Sequence, residues 1–223
     1  MTDEIRTITL KQNILANNDR AADGLRAQLK AERTFLLNLM SSPGSGKTTT
    51  LKATIARLKD KLRIGVMEAD IDSDVDARAI AETGVKSIQL HTGGMCHLDA
   101  GMTEQGLKEL GTAGLDLAIL ENVGNLVCPA EFDTGAVKNV AILSVPEGHD
   151  KPLKYPLMFE VCQALIINKI DVMPYFDFDM DKVREFALKR NPNIEIFPIS
   201  AKTGEGVDAW CSWLEAQVRA WNA

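Results

Sequence analysis

The run Ser41-Ser42-Pro43-Gly44-Ser45-Gly46-Lys47-Thr48-Thr49 contains the residue types that hold phosphate groups. Gly44 and Gly46 free the backbone to turn its N–H groups inward around Ser45, and a helix opening at Lys47 aims the positive end of its dipole at the same point. Lys47 supplies a mobile charge for the outer phosphates, Thr48 offers a hydroxyl to magnesium, and Thr49 continues the first helical turn. The preceding apolar stretch, Phe35-Leu36-Leu37-Asn38-Leu39-Met40, reads as a strand. Strand, glycine-rich turn and helix in that order point to a nucleotide site rather than an ordinary Gly-Ser turn. Ser41 stands where the usual pattern has its first glycine, so the loop is expected to be slightly less free.

A second motif, Asn168-Lys169-Ile170-Asp171, follows the apolar run Ala164 to Ile167. The Asp171 carboxylate can accept from both the N1–H and the 2-amino group of guanine, a pair of donors that adenine lacks. Asn168 either meets the other base edge or ties this loop to the phosphate loop, and the Lys169 stem can lie flat on the ring. Ser200-Ala201-Lys202 follows the run Glu195 to Ile199, where a backbone N–H can reach the guanine O6 and a side chain can brace Asp171. The plain alternative for that tripeptide is a helix-initiating turn. Three motifs in this order specify GTP and GDP as the nucleotides.

Magnesium requires hard oxygen ligands beside the phosphates. Asp70, closing the apolar run from Arg63, is the first choice for a second ligand and Asp72 the alternative; Asp74 and Asp76 are expected to cap the helix that follows. Glu121 ends the run Leu115 to Leu120, and Gly124, three residues on, is placed to present an N–H to a γ-phosphate. Asn125 stands where a water-orienting Gln is often found, so hydrolysis is expected to be slow and the protein switch-like.

Soft or borderline metal ligands appear at Cys96, His97 and Cys128, suited to nickel or zinc. By spacing alone they form no complete site, and the alternative for each cysteine is a small buried apolar residue. Cys162 and Cys211 read as core, His91 and His149 as loop or surface, and the Asp177 to Asp181 cluster as a helix cap.

These residues must be positioned by alternating elements. Continuous apolar strands alternating with helices predict an α/β P-loop fold, a mostly parallel sheet with helices on both faces, and each unusual motif falls at the carboxyl end of a strand. Residues 8 to 33 read as an amphipathic helix broken near Asn17-Asn18, giving an N-terminal extension over residues 1–34 and a P-loop domain over 35–223. A net charge of −6, with no basic run, argues against nucleic acid and acidic membrane surfaces. The absence of a spanning segment or a secretion-like start leaves the cytoplasm as the expected compartment.

Ser42 to Thr48, Cys96-His97-Leu98-Asp99-Ala100, Glu121 to Ala130, Lys151-Pro152-Leu153-Lys154-Tyr155-Pro156 and Asn168 to Asp171 together resemble the HypB family, the GTPases that help insert nickel into [NiFe]-hydrogenase. The resemblance covers about residues 35 to 215. It implies a GTPase of the dimerising SIMIBI class, with a regulatory metal site of Cys96, His97 and Cys128 where two protomers meet. It also implies a homodimer favoured by GTP, with Lys151 or Lys154 reaching the partner's nucleotide. Hydrogenase maturation proteins and the hydrogenase large-subunit precursor become expected partners. A three-ligand set shared across a two-fold axis can complete a tetrahedral zinc or a flatter nickel site. The urease counterpart of the same class, which shows Cys-Pro-His where this chain has Cys96-His97, and a non-catalytic nucleotide-regulated scaffold are the rival readings. No Cys motif or His run of the kind some family members use to capture nickel precedes Phe35.

Overall fold

The computed structural model describes residues 10–70 and 79–223, with side chains from Leu15 onward and Asp70 excepted. Asp72, Asp74, Asp76 and the start of the helix expected after them lie outside the described residues.

Seven strands form one sheet: β1 (Phe35–Ser41), β2 (Ile64–Asp70), β3 (Lys86–His91), β4 (Leu117–Glu121), β5 (Lys138–Ser144), β6 (Ala164–Asn168) and β7 (Glu195–Pro198). Their order is β3-β2-β4-β1-β5-β6-β7, and every pairing is parallel. All seven residues of β1 are buried, because a central parallel strand is covered on both faces. Phe35, Leu37 and Leu39 join one core with Leu51 and Ile55 of α2 (Lys47–Leu58) and Trp210 and Leu214 of the C-terminal helix, Val207–Asn222. Leu36 enters a core on the other face with Leu25 and Leu29 of α1 (Leu10–Glu32) and Leu107 of α3 (Ala100–Leu110). Met40 joins the third cluster, with Met158, Phe159 and Val183.

The expected break near Asn17-Asn18 does not occur; α1 is one helix of 23 residues. Asparagine disrupts helices when its side chain competes for local backbone groups. Here Asn18 is engaged elsewhere, donating to the Asp133 carbonyl at 2.8 Å and accepting from the Ala100 N–H at 2.9 Å.

Candidate nucleotide and metal site

The phosphate loop leaves β1 at its carboxyl end. Gly44 and Gly46 take φ of 77° and 92°, conformations that a side chain would strain. Gly46 is the N-cap of α2 and provides no side-chain cap, so the first amides of that helix remain available to an anion. Ser41, the departure from the glycine pattern, is fully buried and ends β1; the Ser45 hydroxyl donates to it at 2.7 Å, and it donates in turn to the Ser42 carbonyl at 2.8 Å. The serine therefore ties the loop together.

The base-side motifs converge on that loop. Asn168 donates to the Ser45 carbonyl at 3.0 Å, while its side-chain oxygen accepts from the N–H groups of Lys169 and Ala201 at 2.8 and 3.1 Å. Of the two roles open to Asn168 in the sequence, the loop tie is the one observed. Lys169 adopts a left-handed conformation, φ 64°, and its Nζ donates to the Gly44 carbonyl at 2.7 Å. The Ser200 hydroxyl donates to Asp171 at 2.7 Å. Between these loops lies a cavity of about 310 Å³ lined by Gly46, Thr49, Asn168, Lys169, Asp171, Val172, Ala201 and Lys202.

At the other end of Lys47, the Thr48 hydroxyl donates to Glu121 at 3.3 Å. Glu121 and Glu68, each 3% exposed, are register partners on β4 and β2, and Gln89 faces Glu68 from β3. With Lys47, Ala69, Asn122 and Gly124 they line a pocket of about 40 Å³. Gly124 packs against the loop, where a Cβ would stand 3.1 Å from Pro43 Cγ. A ladder of amides, Asn122 to Asn38 at 3.1 Å and Asn38 to Asn139 at 3.0 Å, fixes the turn after β4 to the central strand.

Sequence reasoning missed Glu68 and Gln89; the available signal was a carboxylate inside the otherwise apolar strand Ile64-Gly65-Val66-Met67-Glu68-Ala69. It also missed Glu147, which accepts from the Ser144 N–H and hydroxyl, both at 2.7 Å, and from the Ser42 hydroxyl of the phosphate loop. Ser144 and Glu147 have the spacing of a capping box, which was legible. Asp70 ends β2 opposite His91. Lys154 is paired with Asp150 at 2.6 Å and Lys151 lies over the Tyr155 ring; neither lines the cavity or the smaller pocket.

Cys128 opens the short helix α4 (Cys128–Glu131), and Cys96 lies in the loop after β3. The Cys96 side chain, together with burial, pushes the Cys128 thiol above its ordinary range. Cys96 Sγ lies 3.9 Å from His97 Nδ1, and the His97 ring stacks on Phe132 with centroids 3.8 Å apart. Within one chain the set does not close; among the described residues no group of three His, Cys, Asp or Glu side chains is arranged to hold a metal. As donor types, two thiols and an imidazole suit a soft or borderline ion. Cys162 and Cys211 are core residues, and burial pushes Cys211 up to about 11. His149 accepts from the Asp179 N–H at 3.3 Å, and Asp179 caps the helix Met180–Arg190.

The parallel sheet, the phosphate loop and the motif-bearing loops at the strand ends define a P-loop nucleotide-binding protein. The CobW/HypB/UreG nucleotide-binding domain matches residues 35–198. The hydrogenase maturation factor HypB of Escherichia coli K12 is 47% identical over 212 residues, 95% of this chain and 73% of that protein. A crystal structure of Helicobacter pylori HypB in complex with nickel has a TM-score of 0.85 at 40% identity, covering 92% of this chain and 96% of that one. HypB from Archaeoglobus fulgidus gives the same score at 36% identity, covering 92% of this chain and 100% of that one. The signal recognition particle receptor FtsY of Elizabethkingia anophelis, at 12% identity and a TM-score of 0.53, covers 83% of this chain and 69% of that one; it shares the fold alone. The chain belongs to the HypB family of hydrogenase maturation factors.

Proposed function

We propose that this chain is a GTPase that assists nickel insertion into [NiFe]-hydrogenase, and that nucleotide state and a thiol metal site are linked through one backbone segment. The observation that carries this reading is the path from Thr48 through Glu121 to Cys128: the carboxylate bonded to the phosphate-loop hydroxyl lies seven residues before the Cys128 thiol. The catalytic unit spans residues 35–223, with 1–34 as an N-terminal helical extension.

In this reading the Gly44 to Thr49 cradle binds the phosphates and Lys47 neutralises the outer ones. Asp171, Lys169, Ala201 and Lys202 enclose the guanine, with Asn168 and Ser200 bracing the two loops. Thr48 and Asp70, or Asp72, hold magnesium, which supplies charge neutralisation between the phosphates. The carboxylate of Glu121 beside the Thr48 hydroxyl suits a hard cation at that position. Gly124 presents its N–H to the γ-phosphate. Slow hydrolysis follows from Asn125 in place of a water-orienting Gln.

Cys96, His97 and Cys128 bind nickel or zinc, with a second copy of the chain completing the site. Met95 and Val127, 43% and 50% exposed, flank the two thiol positions with apolar surface that a second subunit would cover. Lys151 or Lys154 serves the partner's nucleotide in that dimer. The hydrogenase large-subunit precursor and other maturation proteins are its partners. Two relatives, from Helicobacter hepaticus and Helicobacter pylori, are hydrogenase/urease maturation factors at 41% and 40% identity, which favours urease as the second acceptor to examine.

The test is a nickel titration, followed by thiolate charge-transfer absorbance and by mass, with GDP and with a non-hydrolysable GTP analogue. Expected are a dimer and a shifted nickel affinity with the analogue, both lost in Cys128→Ala. Identical affinity and mass in both nucleotide states would overturn the coupling.

A further inference from the structure

The two segments that carry the thiols are held together by α1. One segment runs from Cys96 to the start of α3 at Ala100, the other from Cys128 through Phe132 to Ala136. Asn18 touches both, accepting from the Ala100 N–H at 2.9 Å and donating to the Asp133 carbonyl at 2.8 Å. Two turns further along the same helix, Arg26 grips the Asp133 carboxylate with both terminal nitrogens, at 2.8 and 2.7 Å, and reaches the Ala136 carbonyl at 3.4 Å. Leu25 lies against Gly135, where a Cβ would come within 2.7 Å of Leu25 Cδ2 and the backbone has φ 77°. The Asp133 carboxylate also accepts from the Gly135 N–H at 2.9 Å, which closes the turn under the guanidinium.

Nothing in a packing role requires one asparagine to bridge two loops that are remote in sequence. A helix that only covered the sheet would need its apolar stripe of Ala22, Leu25 and Leu29, all buried here. The added polar contacts fall where the chain leaves Cys96-His97 and where it leaves Cys128. The geometry points to Asn18 and Arg26 as positioning residues that set the separation of the Cys96 and Cys128 thiols for a soft divalent cation. This rests on the proposed thiol metal site. It extends that reading by giving α1 a defined task. The Cys128 segment is then held on both sides of the thiol, by Glu121 on the nucleotide side and by Asp133 on the α1 side. Groups that orient metal ligands from outside the coordination sphere change affinity strongly when removed.

The experiment uses the full chain and nickel ion alone, followed by thiolate-to-nickel absorbance and by calorimetry, with GDP affinity measured on each protein. Asn18→Ala and Arg26→Ala are expected to weaken nickel binding about tenfold and to reduce the absorbance per bound ion, while GDP affinity stays within about twofold. Lys30→Ala removes a different α1 contact, to the Trp221 carbonyl, and is expected to leave nickel affinity unchanged. Arg26→Lys keeps the charge without the two-pronged grip; it carries the same test if Asn18→Ala does not fold. Cys128→Ala separates the two hypotheses. If it leaves nickel binding intact, the metal site itself is wrong; if it abolishes binding while Asn18→Ala and Arg26→Ala match the unaltered protein, the clamp is wrong. An equal loss of affinity in Lys30→Ala would also overturn the clamp, by reducing it to general destabilisation.

Discussion

The Asn168 carboxamide nitrogen stands 2.5 Å from the point a Cβ on Gly46 would occupy, and it donates to the adjoining Ser45 carbonyl at 3.0 Å. The base loop and the phosphate loop are therefore packed to a distance that only glycine at position 46 permits. Both loops bend sharply there, with Gly46 and Lys169 at positive φ. Asn168→Ala removes hydrogen bonds to three backbone groups, one of them on the phosphate loop, and leaves buried polar atoms unmet. The expected cost is about 2–3 kcal/mol in folding stability, together with a loss of GDP affinity of about tenfold or more. Chemical denaturation with and without GDP measures both.

Asp171 has its own brace. Ser200→Ala removes the 2.7 Å hydroxyl donor and frees the carboxylate that is proposed to meet the guanine edge. A drop in guanine-nucleotide affinity of about three- to tenfold is expected, with adenine nucleotides unaffected because they make no use of Asp171. Fluorescent GDP and ADP titrations side by side provide the check; an equal effect on both would place Ser200 outside base recognition.

Gly124 lies under Pro43, with a hypothetical Cβ 3.1 Å from the ring and 3.3 Å from the Pro43 nitrogen. Gly124→Ala is expected to shift the Gly124 N–H from the γ-phosphate position proposed for it, and so to lower affinity for the triphosphate more than for the diphosphate. Comparing GDP with a non-hydrolysable GTP analogue tests this, since a purely steric effect on the loop would lower both alike.

The four cysteines divide by burial. Cys162 and Cys211 are 0% and 4% exposed, and burial raises both thiols, Cys211 to about 11. Cys96 and Cys128 are partly exposed. Under native conditions a thiol reagent is expected to label two residues per chain and the remaining two only after denaturation. Nickel is expected to protect the first pair, and mass spectrometry of labelled peptides identifies the sites.

Acid dependence follows from the Arg26 and Asp133 pair. Burial pulls the Asp133 carboxyl upward, but the Arg26 guanidinium and the Gly135 amide outweigh it and hold the group below the ordinary aspartate range. A depressed folded-state pKa contributes stability that is present above the unfolded value, near pH 4, and is lost as pH falls through the folded value. Asp133→Asn is expected to flatten the stability profile below roughly pH 4 while lowering stability at pH 7. Denaturant midpoints across that range decide it.

Much of this protein was legible without coordinates because its signals are local. Continuous apolar runs such as Leu117 to Leu120 require a strand covered on both faces, and the glycines around Ser45 require a turned loop between strand and helix. The Ser200 contact with Asp171 was legible because both motifs end neighbouring parallel strands, where only a short reach separates them. Three further relationships depended on the tertiary structure. Asn17-Asn18 reads locally as a helix break, yet long-range contacts to Ala100 and Asp133 engage Asn18 and the helix continues. Glu68 reads as one charge in a strand, and only the register of β2 against β4 places it beside Glu121 at Lys47. Cys96 and Cys128 are remote in sequence, and only the tertiary fold brings the loops that follow them to the same residue of α1, Asn18. Side-chain type and spacing determine an element and its exposed chemistry, whereas contact between remote segments depends on sheet order and helix packing, which no local pattern encodes.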